Sequence, residues 1–291
     1  MLNLNFNCQH YLAGHRIMLG TNLVIVTLDK AETVLIGEPG RTNYDWNFSL
    51  LGFSVRVHPA FLIMPLLLGQ SFIGEGTNPG MALVVLTVVF FGSILFHELG
   101  HSLAFRYYGI DSYIVLYWMG GVACPTGAGF GKRRTYDDKA QIVVSLAGPI
   151  FNFLLGGLLI GIVYMAGGSI NYFQSGLFPM FIPVLQDSVF AGNQAIWIFF
   201  TAGLFANLVW GLLNLIPVYP LDGGQVARAT FKIFDGHNGL RTSLVFSLIV
   251  AVVVALYGFR TGDQFIGIFF GFMAYSNYQM LQHGGGMGRG W

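Results

Sequence analysis

Charge is what this chain has least of. Only 9% of its 291 residues are Asp, Glu, Lys or Arg, against about a quarter in an average soluble domain. Fourteen Lys and Arg nearly cancel thirteen Asp and Glu, leaving a net charge of +1. No basic face exists for a phosphate backbone, which excludes nucleic acid as a partner. Cysteine is as scarce: Cys8 and Cys124 are too few and too isolated for a disulfide framework or a thiolate metal site. The first twenty residues show no charged-then-apolar cleavable leader, so targeting is expected to fall to the first apolar span. No internal repeat stands out.

What the chain has in excess is apolar surface. Hydrophobic residues make up 54% of it and its mean hydropathy is +0.64, the composition of an integral membrane protein. Six segments are long and apolar enough to be read as crossings of a hydrocarbon layer that needs about twenty residues: 57–74, 81–105, 140–168, 194–216, 242–258 and 263–281. The fold class expected is an all-α polytopic membrane protein of about six transmembrane helices, with a small β-rich element at its N-terminus and membrane edge. Residues 1–56 read as an extramembrane segment with short strands at 22–36 and 48–57, residues 57–281 as the membrane domain, and residues 282–291 as a flexible Gly-rich tail. With an even number of crossings, thirteen of the fourteen Lys and Arg fall on one side and Arg260 alone on the other. Both termini are therefore expected in the cytoplasm, in the cell membrane if the source is prokaryotic.

Ionisable residues inside such spans are expensive and mark function by default. The second span runs from Met81 through Phe96 without a charge and then meets His97-Glu98-Leu99-Gly100-His101. Two His at i and i+4 share a helix face, where both imidazoles reach one zinc ion, and the Glu beside the first is placed to activate a metal-bound water. His97 lies sixteen residues from the start of its span, about 24 Å at helical rise, so the site is expected within the membrane but nearer the cytoplasm.

A catalytic zinc usually takes three protein ligands. The best third candidate is Asp222, in Asn214-Leu-Ile-Pro217-Val-Tyr-Pro220-Leu-Asp222-Gly223-Gly224. Two prolines break the helix there, and non-helical backbone at membrane depth belongs where it is buried in protein or lines a wet cavity. The competing account of Asp222 is an N-cap for a short helix over 223–234. His58, beside Pro59, and His237, in an Asp-Gly-His-Asn-Gly turn, are weaker rival ligands.

The pairing of HELGH in one span with NLIPVYPLDGG at the end of another resembles the site-2 protease family of intramembrane zinc metalloproteases. Phe53-Ser-Val-Arg-Val-His58-Pro59, Gly120-Gly121 and Ala147-Gly148-Pro149-Ile-Phe-Asn152 extend the resemblance over the chain from about Trp46 onward. It covers neither residues 1–45 nor any PDZ or CBS domain. The resemblance implies one Zn2+ per chain held by His97, His101 and Asp222, with Glu98 as catalytic base and Asn214 binding the scissile carbonyl or its oxyanion; a polar helix contact is the alternative for Asn214. Gly120, Gly121 and Asn152 match positions of possible substrate binding, with helix packing weighed more heavily for Asn152. The implied reaction is hydrolysis of peptide bonds in or near transmembrane segments of other membrane proteins, that is, intramembrane proteolysis. Such a substrate must unwind, and 113–119, read as a strand, offers it a backbone to pair with. A catalytically inactive metal-binding scaffold and a metal transporter are the rival readings.

Overall fold

The computed structural model describes residues 39–69, 76–126, 136–175, 178–236 and 238–284. The expected strand at 22–36, residues 285–291 of the expected tail and His237 lie outside these; residues 282–284 of that tail are helical.

The first described element is a hairpin. β1 (Trp46–Leu50) pairs antiparallel with β2 (Phe53–Val57). Its two-residue turn holds both central residues at positive φ, Leu51 at 50° and Gly52 at 81°, as the twist of a tight hairpin demands. Glycine meets that demand at no steric cost at the second position. Arg56, in β2, points back to bind Asp45 Oδ2 at 2.9 Å with both side chains nearly covered. Burial alone would raise the Asp45 carboxyl, but hydrogen bonds from Thr42 and Arg56 outweigh it and hold the group below its usual range. A 3-10 turn (Pro59–Leu62) then leads into α1 (Ile63–Gly69).

α2 (Pro79–Tyr107) is 29 residues long and starts at Asn78, whose side chain caps Met81 N, with Pro79 in the first turn. At its far end Arg106 ties the helix to the hairpin, donating to Leu51 O at 2.9 Å and lying 3.6 Å over the Phe53 ring. The chain then forms β3 (Ser112–Tyr117) and β4 (Gly120–Pro125). β3 pairs parallel with β2 and antiparallel with β4, giving one four-stranded sheet in the order β1-β2-β3-β4. The expected strand at 113–119 is therefore real, but both of its edges are occupied. The edge strands are β1 and β4. Phe53, Val55, Phe61, Leu86, Phe90, Ile114 and Leu116 form the apolar core between this sheet and α2.

α3 (Asp138–Met165) and α4 (Gln194–Asn214) pack against α2, with a hairpin, β5 (Ser169–Ser175) and β6 (Phe178–Val184), between them. That hairpin was not foreseen. Within α4, Phe205–Val209 form a π segment, a local widening of the kind that recurs at functional sites. α5 (Asp222–Phe234) is short and amphipathic, and α6 (Gly239–Thr261) and α7 (Gln264–Gly284) form an antiparallel pair. Gly262, at φ 81°, closes α6 in the left-handed conformation.

Four helices among the described residues are long and apolar enough to cross a membrane: α2, α3, α4 and α6. In three of these, two thirds or nearly so of the most apolar stretch lies uncovered by protein; Ile150, Leu154 and Leu158 of α3 and Ile249, Val253 and Leu256 of α6 are exposed. Leucine and valine faces of that size need an apolar surround. The first and last of the six expected spans do not meet the same standard. The described part of the first is a short helical stretch, Pro59–Leu68, with Pro65 inside it, and residues 70–74 lie outside the described residues. The last is α7, whose 21 residues include Asn277, Gln279 and Gln282.

Candidate metal centre

His97 and His101 stand one turn apart on the buried face of α2, their rings edge to face with centroids 4.7 Å apart. Asp222 comes to them from across the molecule. α4 ends at Asn214, and the segment through Pro217 and the cis bond Tyr219–Pro220 turns the chain back so that α5 begins at Asp222. Helices α6 and α7 hold that segment by its backbone: Tyr219 N donates to Ser247 Oγ at 3.1 Å, and Asn277 Nδ2 donates to Tyr219 O at 2.6 Å. Gly223 and Gly224 follow because α5 starts flush against the same segment. A Cβ on Gly223 would lie 2.1 Å from Leu215 O, and one on Gly224 2.3 Å from Tyr219 N.

The Asp222 carboxylate spans the histidine pair, with Oδ2 3.1 Å from His97 Nε2 and Oδ1 3.3 Å from His101 Nε2. The capping account of Asp222 fails: the cap position is Leu221, no side chain caps the helix, and Asp222 is the first helical residue. One ligand atom from each of the three residues falls within 4.8 Å of the others. Two imidazoles and a carboxylate are the donors of an open three-ligand zinc site.

The partners of the outer nitrogens aim the inner ones at a shared metal position. Asn152 Nδ2 donates to Ala206 O, in the π segment of α4, at 3.1 Å, which turns Asn152 Oδ1 toward His97 Nδ1 at 3.2 Å. An amide oxygen only accepts, so His97 carries its proton on Nδ1 and presents a lone pair at Nε2. His101 Nδ1 likewise donates to Val144 O at 2.7 Å. Asn152 was expected to serve packing more than binding; it sits instead directly behind His97. Gly148 is the other device of α3. A Cβ there would lie 2.3 Å from His101 Nε2 and 2.7 Å from His97 Nε2, so the bare helix backbone is what leaves room at the centre.

Glu98 is buried beside the pair, hydrogen-bonded by the Ala123 backbone of β4. Gly121 meets it at close range: a Cβ there would be 2.5 Å from Glu98 Cγ. Gly120, at φ 126°, and Gly121 both line the same cavity as the metal cluster, about 240 Å3 in volume, as do Asn152 and Asn214. Asn214 makes no side-chain hydrogen bond to any described residue and lines the cavity. His58 plays no part. Its Nδ1 accepts from Ala60 N at 3.1 Å and caps the turn after β2.

Sequence reasoning missed four contributors. The Val144 carbonyl is invisible in any residue pattern. Gly148 entered only as part of the Ala147–Asn152 match, though Ala-Gly-Pro inside an apolar helix is a signal for a backbone approached closely. Gln225 and Arg228 also line the cavity; a polar residue and a cation one turn apart in α5, just after Asp222, pointed there.

The profile of Peptidase family M50 matches residues 85–258. The chain is 26% identical over 216 residues to a zinc metalloprotease of Methanocaldococcus jannaschii, covering 72% of this chain and 52% of that protein. It is also 26% identical over 241 residues to Rip3 of Mycobacterium tuberculosis, covering 78% and 54% respectively. The chain thus spans about half the length of the curated relatives it matches. Among solved structures it is similar to the site-2 protease from Methanocaldococcus jannaschii, with a TM-score of 0.49 and 21% identity over 82% of this chain and 95% of that one. Residues 85–258 take in more than half of the chain and every member of the His97, His101 and Asp222 cluster, and on that match the chain belongs to peptidase family M50, the site-2 protease family.

Proposed function

We propose that the protein is an intramembrane zinc metalloprotease that hydrolyses peptide bonds in or near the transmembrane segments of other membrane proteins. One observation carries this reading: His97, His101 and Asp222 converge within 4.8 Å beside a buried Glu98, on a helix apolar enough to cross a membrane. Zinc bound by those three residues, one ion per chain, supplies Lewis acidity toward water and the scissile carbonyl. Glu98, turned into the cavity and held by the Ala123 backbone, takes the proton of the attacking water and delivers it to the leaving amine. Asn214 donates its amide hydrogens to the carbonyl oxygen as charge builds there. An unwound substrate pairs along β4, an edge strand of the sheet, which brings its backbone past Gly120 and Gly121 to Glu98.

Six crossings, with both termini in the cytoplasm and a site nearer that side, are favoured by the Lys and Arg distribution. The strands give a first crossing less support: Trp46, the partner of Val57, stacks on Phe91 in the middle of α2, and Phe61 meets the same ring. From Phe91 back to Pro79 is twelve residues of α2, about 18 Å at helical rise.

The direct test is metal removal. Chelator-stripped protein in vesicles is expected to leave a membrane-segment peptide intact and to recover cleavage as zinc is added back, reaching its plateau at one zinc per chain. Cleavage that ignores the chelator would overturn the reading. Asn152→Leu is expected to weaken zinc binding by about ten- to a hundredfold, because His97 loses the acceptor that fixes its tautomer; competition against a chelating dye measures it.

A further inference from the structure

Arg228 has no role in the chemistry above. It projects from α5 into the cavity that holds the metal cluster, and it is the one Lys or Arg lining that cavity among the described residues. The side chain is half-buried. Its guanidinium lies 5.3 Å over the Tyr219 ring, a contact that steadies the group but leaves its N–H donors uncommitted. No acidic side chain pairs with it among the described residues, whereas Arg56 and Lys232 are each paired with an aspartate.

Charge bookkeeping within the cavity points the same way. Glu98 and Asp222 supply the negative charges of the lining, and a divalent cation at the cluster balances both. Arg228 is then an uncompensated positive charge in a partly desolvated space, which an incoming anion neutralises. Gln141 and Ser145 of α3 and Gln225 and Arg228 of α5 line the cavity together. A peptide lying across the cluster therefore passes a guanidinium where it runs beside α5.

We propose that Arg228 is a specificity-determining residue that binds a carboxylate of the peptide substrate on the α5 side of the scissile bond. This deepens the protease reading and rests on it. A planar guanidinium takes a carboxylate through two parallel hydrogen bonds, so Glu or Asp at the matching position raises cleavage, and Lys there lowers it.

The test uses full-length protein in vesicles and apolar membrane-segment peptides, blocked at both ends, in which a single Glu is moved residue by residue and compared with Gln at the same place. At one or two adjacent positions on one side of the cut, the Glu peptide is expected to show kcat/KM about five- to tenfold above its Gln counterpart, the size of a partly exposed charge pair. Arg228→Gln should remove that ratio, Arg228→Lys should keep part of it, and Arg228→Glu should favour a Lys peptide instead. A companion series with a free C-terminus separates a side-chain carboxylate from a terminal one. Peptide affinity for the Glu98→Gln protein, read by fluorescence anisotropy, should carry the same Glu preference without any turnover. Equal handling of Glu and Gln at every position, or a preference that survives in Arg228→Gln, overturns the assignment. If no peptide is cleaved while the Arg228-dependent binding preference persists, the protease reading fails and the carboxylate site stands.

Discussion

Glu98→Gln is expected to lower peptide cleavage by about a hundred- to ten-thousandfold, the usual contribution of a positioned general base, while zinc binding stays at one ion per chain. The two halves separate because Glu98 is not among the three residues whose ligand atoms converge. Glutamine keeps the shape of the side chain under Gly121, where a Cβ would already lie 2.5 Å from Glu98 Cγ, so the substitution removes the proton acceptor without repacking the site. Comparing membrane peptides that accumulate with wild type and with the variant also identifies substrates. Undiminished cleavage would remove Glu98 from the mechanism, and zinc binding with no cleavage by either protein would favour a scaffold.

Gly148→Ala is expected to abolish zinc binding, and cleavage with it, by a margin of at least about a hundredfold. The new methyl would stand 2.3 Å from one ligand nitrogen and 2.7 Å from the other, well inside van der Waals contact. Retreat of α3 is opposed from its other face, where it is packed on α4: Asn152 donates to Ala206 O, and a Cβ on Gly156 would be 2.5 Å from Leu208. Tight interiors do not absorb such an overlap without moving side chains off their rotamers. Gly157→Ala and Gly161→Ala, on the same helix, are the controls. Neither new methyl meets anything within 4 Å, so both variants should bind zinc as wild type does, and alanine in place of a helical glycine should raise thermal stability slightly. Zinc affinity in Gly148→Ala equal to that of wild type would show that the three ligand atoms do not meet where the structure puts them.

The histidine pair and Glu98 were readable because a helix places i and i+4 on one face whatever surrounds it. Asp222 was readable for a different reason: two prolines at the end of an apolar span cannot be helix, and the chain there had to be lining something. Asn152 was picked out by the resemblance, but its duty behind His97 was not readable: it depends on Ala206 O, which accepts its amide hydrogen within the π segment of α4, and no residue pattern announces such a segment. The sheet was only half legible. Strands near 48–57 and 113–119 were seen separately, but parallel pairing of β2 with β3 is a long-range contact that local alternation does not encode. The β5–β6 hairpin escaped because its aromatic, apolar residues extend the apolar run of α3 instead of alternating.

The distance along the chain between the histidines and Asp222 sets an order of events during synthesis. His97 and His101 are in place once α2 is, but their third companion emerges more than a hundred residues later, after α3, the β5–β6 hairpin and α4. Its segment is then fixed by Ser247 and Asn277, which come later still. A ribosome-bound chain therefore carries a two-histidine half-site with little hold on a metal ion, and the centre closes only when the last helix docks. On the proposed protease reading, cleavage would begin only after α7 has docked.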